Sequence, residues 1–174
     1  YAWLMTALLS LKVLRREGFD VIQACNPPDT YWLLGKIYKL IGKTFIFDHH
    51  DLSPEMFDAK YNGGKRWLRK ILKWLERRTL KTAKLVLSTN DSYKSVAVER
   101  GGKNPEDVYV VRTGPDLNRL KVKEPEAELK FGKDKMVCYL GEMCPQDGVD
   151  VLLRSIHHLT EKMGRVDTHF VLVG

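Results

Sequence analysis

Thr44-Phe45-Ile46-Phe47-Asp48-His49-His50-Asp51 puts four strand-forming residues directly before four titratable ones. β-Branched and aromatic residues suit a pleated, half-buried surface, so Thr44 to Phe47 is predicted to be a short strand. The polar cluster marks its carboxyl end and continues through Leu52-Ser53-Pro54-Glu55. Upstream, a first helix that opens on the apolar run from Tyr1 to Leu14 ends in Lys12, Arg15 and Arg16, followed by Gly18. Cations suit a helix C-terminus and glycine suits the position after it. Val21 to Cys25 reads as a strand stopped by Asn26-Pro27-Pro28, then a helix from Tyr31 to Ile41. Asp29 and Thr30 are candidate caps for that helix. Downstream come a loop through Asn62-Gly63-Gly64, a helix over 65–83, a strand at Leu85 to Ser88, a helix at Ser92 to Arg100, and a strand at Val108 to Val111. Short strands separated by helices indicate βαβ units, hence an α/β chain with doubly wound parallel sheets.

The alternation lapses between Thr113 and Lys135, where Gly114-Pro115, Pro125, Gly132 and many charges replace apolar periodicity. Such a stretch reads as a boundary between domains. Three parts are expected: a first domain over 1–116, a linker over 117–134, and the start of a second domain over 135–174. The second opens with a strand at Met136 to Leu140, a helix at Val149 to Met163 and a strand at His169 to Val173. Tyr1 lies inside an apolar run and Gly174 directly follows a strand, so an interior segment of a longer protein is expected.

The composition, 44% hydrophobic and 29% charged, is that of an ordinary globular chain. A net charge of +7 suits an anionic partner. Cys25, Cys138 and Cys144 show no CxxC spacing. Buried free thiols in a reducing, cytoplasmic setting are therefore expected, and no structural zinc site. The apolar run from Tyr1 to Leu14 is too short to span a bilayer and lacks the layout of a signal peptide. Trp3, Leu4, Ala7, Leu8, Leu11 and Leu14 share helical spacing and are expected to form a core helix.

Ligands of open parallel sheets bind beyond the carboxyl ends of the strands. His49, His50 and Asp51 occupy such an end, and imidazole with carboxylate there can bind hydroxyls or move protons. One of the two histidines is alternatively structural. Adjacent side chains diverge on an extended backbone, so the pair is not expected to share a metal. Asn26-Pro27-Pro28-Asp29 is either a rigid cleft wall or simply the start of a helix. Lys65 to Lys84 carries nine Lys and Arg against one Glu. Lys65, Arg66, Arg69, Lys70 and Lys73, together with Trp67 and Trp74, suit an anionic membrane surface. Trp67, Ile71, Trp74 and Leu75 form an apolar stripe expected to pack largely on the sheet. No recognised nucleic-acid module accompanies the charge, and none is expected as a partner. At the second strand end, Gly141-Glu142-Met143-Cys144-Pro145-Gln146-Asp147-Gly148 leads into a helix, an arrangement that brings phosphate near backbone N–H groups.

Four of these segments together resemble the retaining family-4 glycosyltransferases of the two-Rossmann (GT-B) fold. They are Val21 to Asp29, Phe45 to Glu55, Val108 to Asp116 and Tyr139 to Leu153. The resemblance implies sugar transfer, with retention, from a nucleotide-sugar donor to a lipid-linked or polysaccharide acceptor on the cytoplasmic face of a membrane. It implies no cofactor and no metal, the nucleotide sugar being a substrate. His50 would stand near the reacting centre with Asp51 orienting it. Asn26, His49 and Glu55 would lie on the acceptor side, and Gly141, Glu142, Asp147 and Gly148 at the donor. Three departures stand out. Glu142 and Asp147 occupy positions where the family commonly has Arg and Lys for the donor diphosphate, and Thr113 stands where it often has Asn. By the same resemblance the segment alone is expected to be inactive. Two other functions remain compatible with the residues: a nucleotide-sugar epimerase of the same architecture, or a non-catalytic membrane-surface module.

Overall fold

The computed structural model describes residues 1–61, 65–144 and 147–174. The chain forms two compact units, Tyr1–Gly114 and Pro115–Gly174.

The first unit runs α1 (Ala2–Arg16), β1 (Val21–Cys25), α2 (Trp32–Leu40), β2 (Thr44–His49), α3 (Ser53–Tyr61), α4 (Arg66–Thr82), β3 (Leu85–Ser88), α5 (Asp91–Ser95) and β4 (Val108–Val110). A π-helical turn, Val96–Arg100, extends α5. The sheet has the order β1-β2-β3-β4 and every pairing is parallel. Register aligns Ala24, Phe47, Val86 and Val108 in one row. Strand side chains alternate with period two, so this row and Phe45 share a face. Phe45, Phe47, Val86 and Val108 are buried there with Leu80 and Ala83 from α4's end and Ala97 from the π turn. Gly35 lets α2 lie close on β2. A Cβ at that position would stand 2.5 Å from the Phe45 ring.

The second unit holds β5 (Lys135–Leu140), α6 (Val149–His157) and β6 (Thr168–Val173), with β5 and β6 parallel. A 3-10 turn at Ala127–Lys130 lies in the stretch expected to be the linker.

Five expectations need correction. α1 forms, but none of its residues is buried: Trp3, Ala7, Leu11 and Leu14 are half-buried, while Leu4 and Leu8 face outward. Cys25 and Cys138 are exposed rather than buried: Cys25 falls on the more open face of β1, and β5 is exposed on both faces around Cys138. The chain after Leu52, expected to be loop, is helical as α3; the expected Asn62-Gly63-Gly64 turn lies outside the described residues. Ser53 and Pro54 at the helix start with Glu55 in its first turn are a recognised start signal. Asp29 does not cap α2, whose first turn has no side-chain cap. Finally, α4 is rotated relative to its expected apolar stripe. It buries Glu76, Thr79 and Leu80, and leaves Trp67 61% and Trp74 49% exposed.

Candidate functional site: the carboxyl edge of the first sheet

Asn26 organises this edge. It is buried directly after β1. Its side-chain oxygen accepts the backbone N–H groups of His50 (2.9 Å) and Asp51 (3.1 Å). Its amide donates to the Asp51 carbonyl (2.6 Å) and to Asp29 Oδ1 (3.3 Å). One amide side chain thereby clamps the chain leaving β2 to the chain leaving β1. Both peptide bonds into Pro27 and Pro28 are cis. Asp29 is also buried and accepts a short hydrogen bond from Ser53 Oγ. Burial raises its carboxyl above the usual range, and the bonds from Ser53 and Asn26 pull it back only in part. Thr79 Oγ1 donates to the Asp29 carbonyl at 2.9 Å, tying α4 to the same turn.

His50 stands half-exposed at the edge, with Nε2 2.9 Å from Asp48 Oδ1. Asp48 Oδ2 in turn accepts from Gln23 Nε2 at 2.8 Å. The carboxylate that orients His50 is therefore Asp48, where the sequence reading had put Asp51. A carboxylate at this distance attracts the Nε2 side of the ring and so favours one ring orientation. Asp51 is half-buried beside it.

His49 points the other way. It is 0% exposed, and among the described residues neither ring nitrogen has a hydrogen-bond partner. Its ring stacks on Phe47 (5.4 Å) and tilts against Tyr93 (5.3 Å). Burial, with the Arg100 charge second, lowers its pKa to about 4 despite an opposing pull from Glu55. His49 is thus a neutral ring in the aromatic layer, not a group presented at the edge.

Glu55, in the first turn of α3, is taken up by a bidentate pair with Arg100. Arg100 Nη2 also donates to Glu76 Oε1 at 2.7 Å. Burial pushes Glu55 up, but its bond and attraction to Arg100 outweigh that and its carboxyl lies below the usual range. In Glu76, which is 0% exposed, burial wins and the pKa is raised. Arg100, Glu76, Asp48 and Ser53 were not singled out from the sequence. Asp48 had a usable signal, since it alternates with Phe47 and His49 and so shares the face of Gln23 and Ile46. Arg100 had none, because its partners lie 45 and 24 positions away.

In the second unit, Gly141 follows β5 and its N–H donates to the Val173 carbonyl at 3.0 Å. A Cβ there would meet Tyr139 Oη at 3.2 Å, and that hydroxyl donates to the Glu142 carbonyl at 2.8 Å. Gly148 takes a positive φ (+68°) at the N-terminus of α6. Positive φ is costly for residues with a Cβ, which accounts for glycine at this turn. Asp147 N donates to the Cys144 carbonyl at 3.0 Å. The expected glycines do flank a strand-to-helix turn; Pro145 and Gln146 lie outside the described residues.

On α4, Lys65, Arg66, Trp67, Lys70 and Trp74 are exposed. Arg69 and Lys73, expected on the same surface, are instead half-buried, and Arg69 is held by Asp58 at 2.5 Å. Arg77, Arg78 and Lys81 take their place on the outer side. Arg78 lies over the Trp74 ring at 5.3 Å, and Trp74 meets Trp32 of α2 edge-on at 5.9 Å. No described helix is long and apolar enough to cross a membrane.

No curated protein matches the chain. Among solved structures, Alr3699/HepE from Anabaena, crystallised in complex with UDP and glucose, is similar at a TM-score of 0.55 and 16% identity. The alignment covers 96% of this chain and 51% of that one, so this chain spans about half the length of that protein. At this identity the likeness speaks to the fold, and it agrees with Rossmann-like parallel units of the GT-B type. The model of Glycosyltransferase Family 4 matches residues 2–119, which include all four strands of the first sheet and the Asn26–His50 edge. By that match the chain belongs to Glycosyltransferase Family 4.

Proposed function

We propose that this chain serves a glycosyltransferase that moves a sugar from a nucleotide-sugar donor to a lipid-linked or polysaccharide acceptor with retention of configuration. The observation that carries the reading is the edge at β1 and β2. There Asn26 fixes the backbone at His50 and Asp51, and Asp48 lies 2.9 Å from Nε2 of the half-exposed His50 ring. A rigid half-exposed imidazole flanked by carboxylates suits the binding of sugar hydroxyls beside a reacting centre. The family membership and the UDP and glucose held by the Anabaena protein support a nucleotide sugar as donor. Gly141 and Gly148 let backbone approach a diphosphate. Glu142 and Asp147 repel one, so the diphosphate charge is met by bases elsewhere in the protein. The segment alone is inactive on this reading.

The test is transfer of labelled sugar by the full-length protein from a panel of nucleotide sugars, with the anomeric configuration of the product read by NMR. Acceptor-dependent product with retained configuration is expected. A donor altered without acceptor would instead indicate an epimerase.

The outer face of α4 favours an accompanying role at the cytoplasmic, anionic face of a membrane. Trp67 and Trp74 are exposed among Lys65, Arg66, Lys70, Arg77, Arg78 and Lys81. Tryptophan suits the headgroup level, and each cation near an anionic surface contributes about 1 kcal/mol. Sedimentation with vesicles containing anionic lipid is expected to weaken at least tenfold in Lys70→Glu/Arg78→Glu, given two charge reversals of that size. Unchanged binding would remove α4 as the contact.

A further inference from the structure

The loop that carries His50 and Asp51 is pinned at three points. Asn26 holds its start through the N–H groups of His50 and Asp51. Ser53, the first residue of α3, fastens the end of the loop to Asp29. Glu55, in the first turn of α3, anchors the helix start that follows the loop to Arg100. The first two anchors come from the turn after β1. The third comes from the opposite side, from the last residue of the π turn Val96–Arg100 that extends α5. π-Helical turns inside α-helices are frequent at functional sites.

Arg100 does more than neutralise Glu55. Its Nη2 also reaches Glu76, which is fully buried on the inner face of α4. A buried ion pair is costly to desolvate, and apolar residues of similar volume commonly serve stability as well or better. Stability alone therefore gives no reason for the arrangement. What the triad does provide is a fixed position: it sets the first turn of α3 against α4 with a planar, bidentate fork on Glu55, a geometry a single apolar contact does not define.

We propose that Arg100 is a positioning residue for the acceptor-side loop, holding Glu55 and through it the segment that presents His50, with Glu76 as the buried counter-anchor. The kinetic consequence rests on the glycosyltransferase reading; the structural consequence does not.

The full-length protein and its Arg100→Met/Glu76→Met variant separate positioning from mere stability. Replacing both partners avoids leaving a buried carboxylate unpaired, so the thermal midpoint is expected to stay close to the original. Hydrogen exchange of the backbone amides of residues 50–56 is expected to speed up about tenfold relative to amides of the Phe45–Phe47 core, as for a locally loosened unit. In the transfer reaction, kcat/KM for the acceptor is expected to fall about tenfold or more with the donor KM unchanged, since small misplacements cost that much. Glu55→Gln, which leaves the Arg100–Glu76 pair in place, is expected to shift both readouts in the same direction, and it decides the matter if the double variant does not fold. Wild-type exchange over 50–56 in a folded variant overturns the proposal. So does a loss of activity explained wholly by a lower folded fraction. If the unaltered protein transfers no sugar, the glycosyltransferase reading fails while the exchange measurement still decides on Arg100.

Discussion

His49 is buried with no partner for either nitrogen among the described residues, and this makes it a liability in acid. Its folded pKa of about 4 lies below the ordinary 6.5, so between those values the unfolded chain binds the proton and the folded one does not. Proton uptake at His49 therefore subtracts nothing above about pH 6.5, and stability is lost as pH falls through the window, by about 3 kcal/mol in all. His49→Phe keeps a flat ring between Phe47 and Tyr93 and removes two unsatisfied polar atoms. It is expected to be neutral or stabilising at pH 7, and to flatten the loss between pH 6.5 and 4 relative to wild type in urea unfolding. Asn26 is the opposite case. Both polar atoms of its side chain are used, so Asn26→Ala takes the partner from three part-buried backbone groups of His50 and Asp51 and one bond from the buried Asp29 carboxylate. A loss of about 2–4 kcal/mol is expected in the same measurement, several net hydrogen bonds' worth. The sequence marked both positions as special, but it did not distinguish their duties. Phe45, Phe47 and His49 alternate, and that period alone assigns His49 to the core face. Alternation puts Asp48 on the opposite face from His49, but its bond to Gln23, one strand away, becomes visible only with the pairing register.

The strands and helices of the first unit were largely legible because each is bounded by a strong local signal: Gly18, the Asn26-Pro27-Pro28 stop, Gly42 and the Gly101-Gly102 pair. α3 was missed because its weak amphipathicity hides a clear Ser53-Pro54-Glu55 start. α4 was found, but its orientation was not, because its most apolar stripe is not its buried one. The inner face is fixed by Thr79 reaching Asp29, Glu76 reaching Arg100 and Leu80 entering the core, all non-local contacts. Leu80→Ala is accordingly expected to cost 2–5 kcal/mol, the usual range for a filled core site, while Trp67→Ser is expected to leave stability nearly unchanged. Denaturant midpoints of the two variants check the orientation directly. Gly35→Ala forces a Cβ into the Phe45 ring at 2.5 Å, and about 1–3 kcal/mol of destabilisation is expected from such overpacking.

At the scale of the molecule, the net charge of +7 is concentrated in one helix rather than spread over the chain. The residues that most resemble a working site gather at one sheet edge. The second unit supplies a glycine-bounded strand-to-helix turn whose flanking side chains, Glu142 and Asp147, are acidic, and it lies outside residues 2–119 that the family model matches. The acceptor side rests on His50, held by Asp48 and by the Asn26 clamp beneath it. The most direct test is sugar transfer by the full-length protein and by its His50→Ala variant, with folding verified by thermal unfolding. An unchanged midpoint and a fall in kcat of about a hundredfold or more are expected, in the range for a positioned proton-transfer or binding group. Turnover equal to wild type in a folded His50→Ala protein would remove His50 from the site.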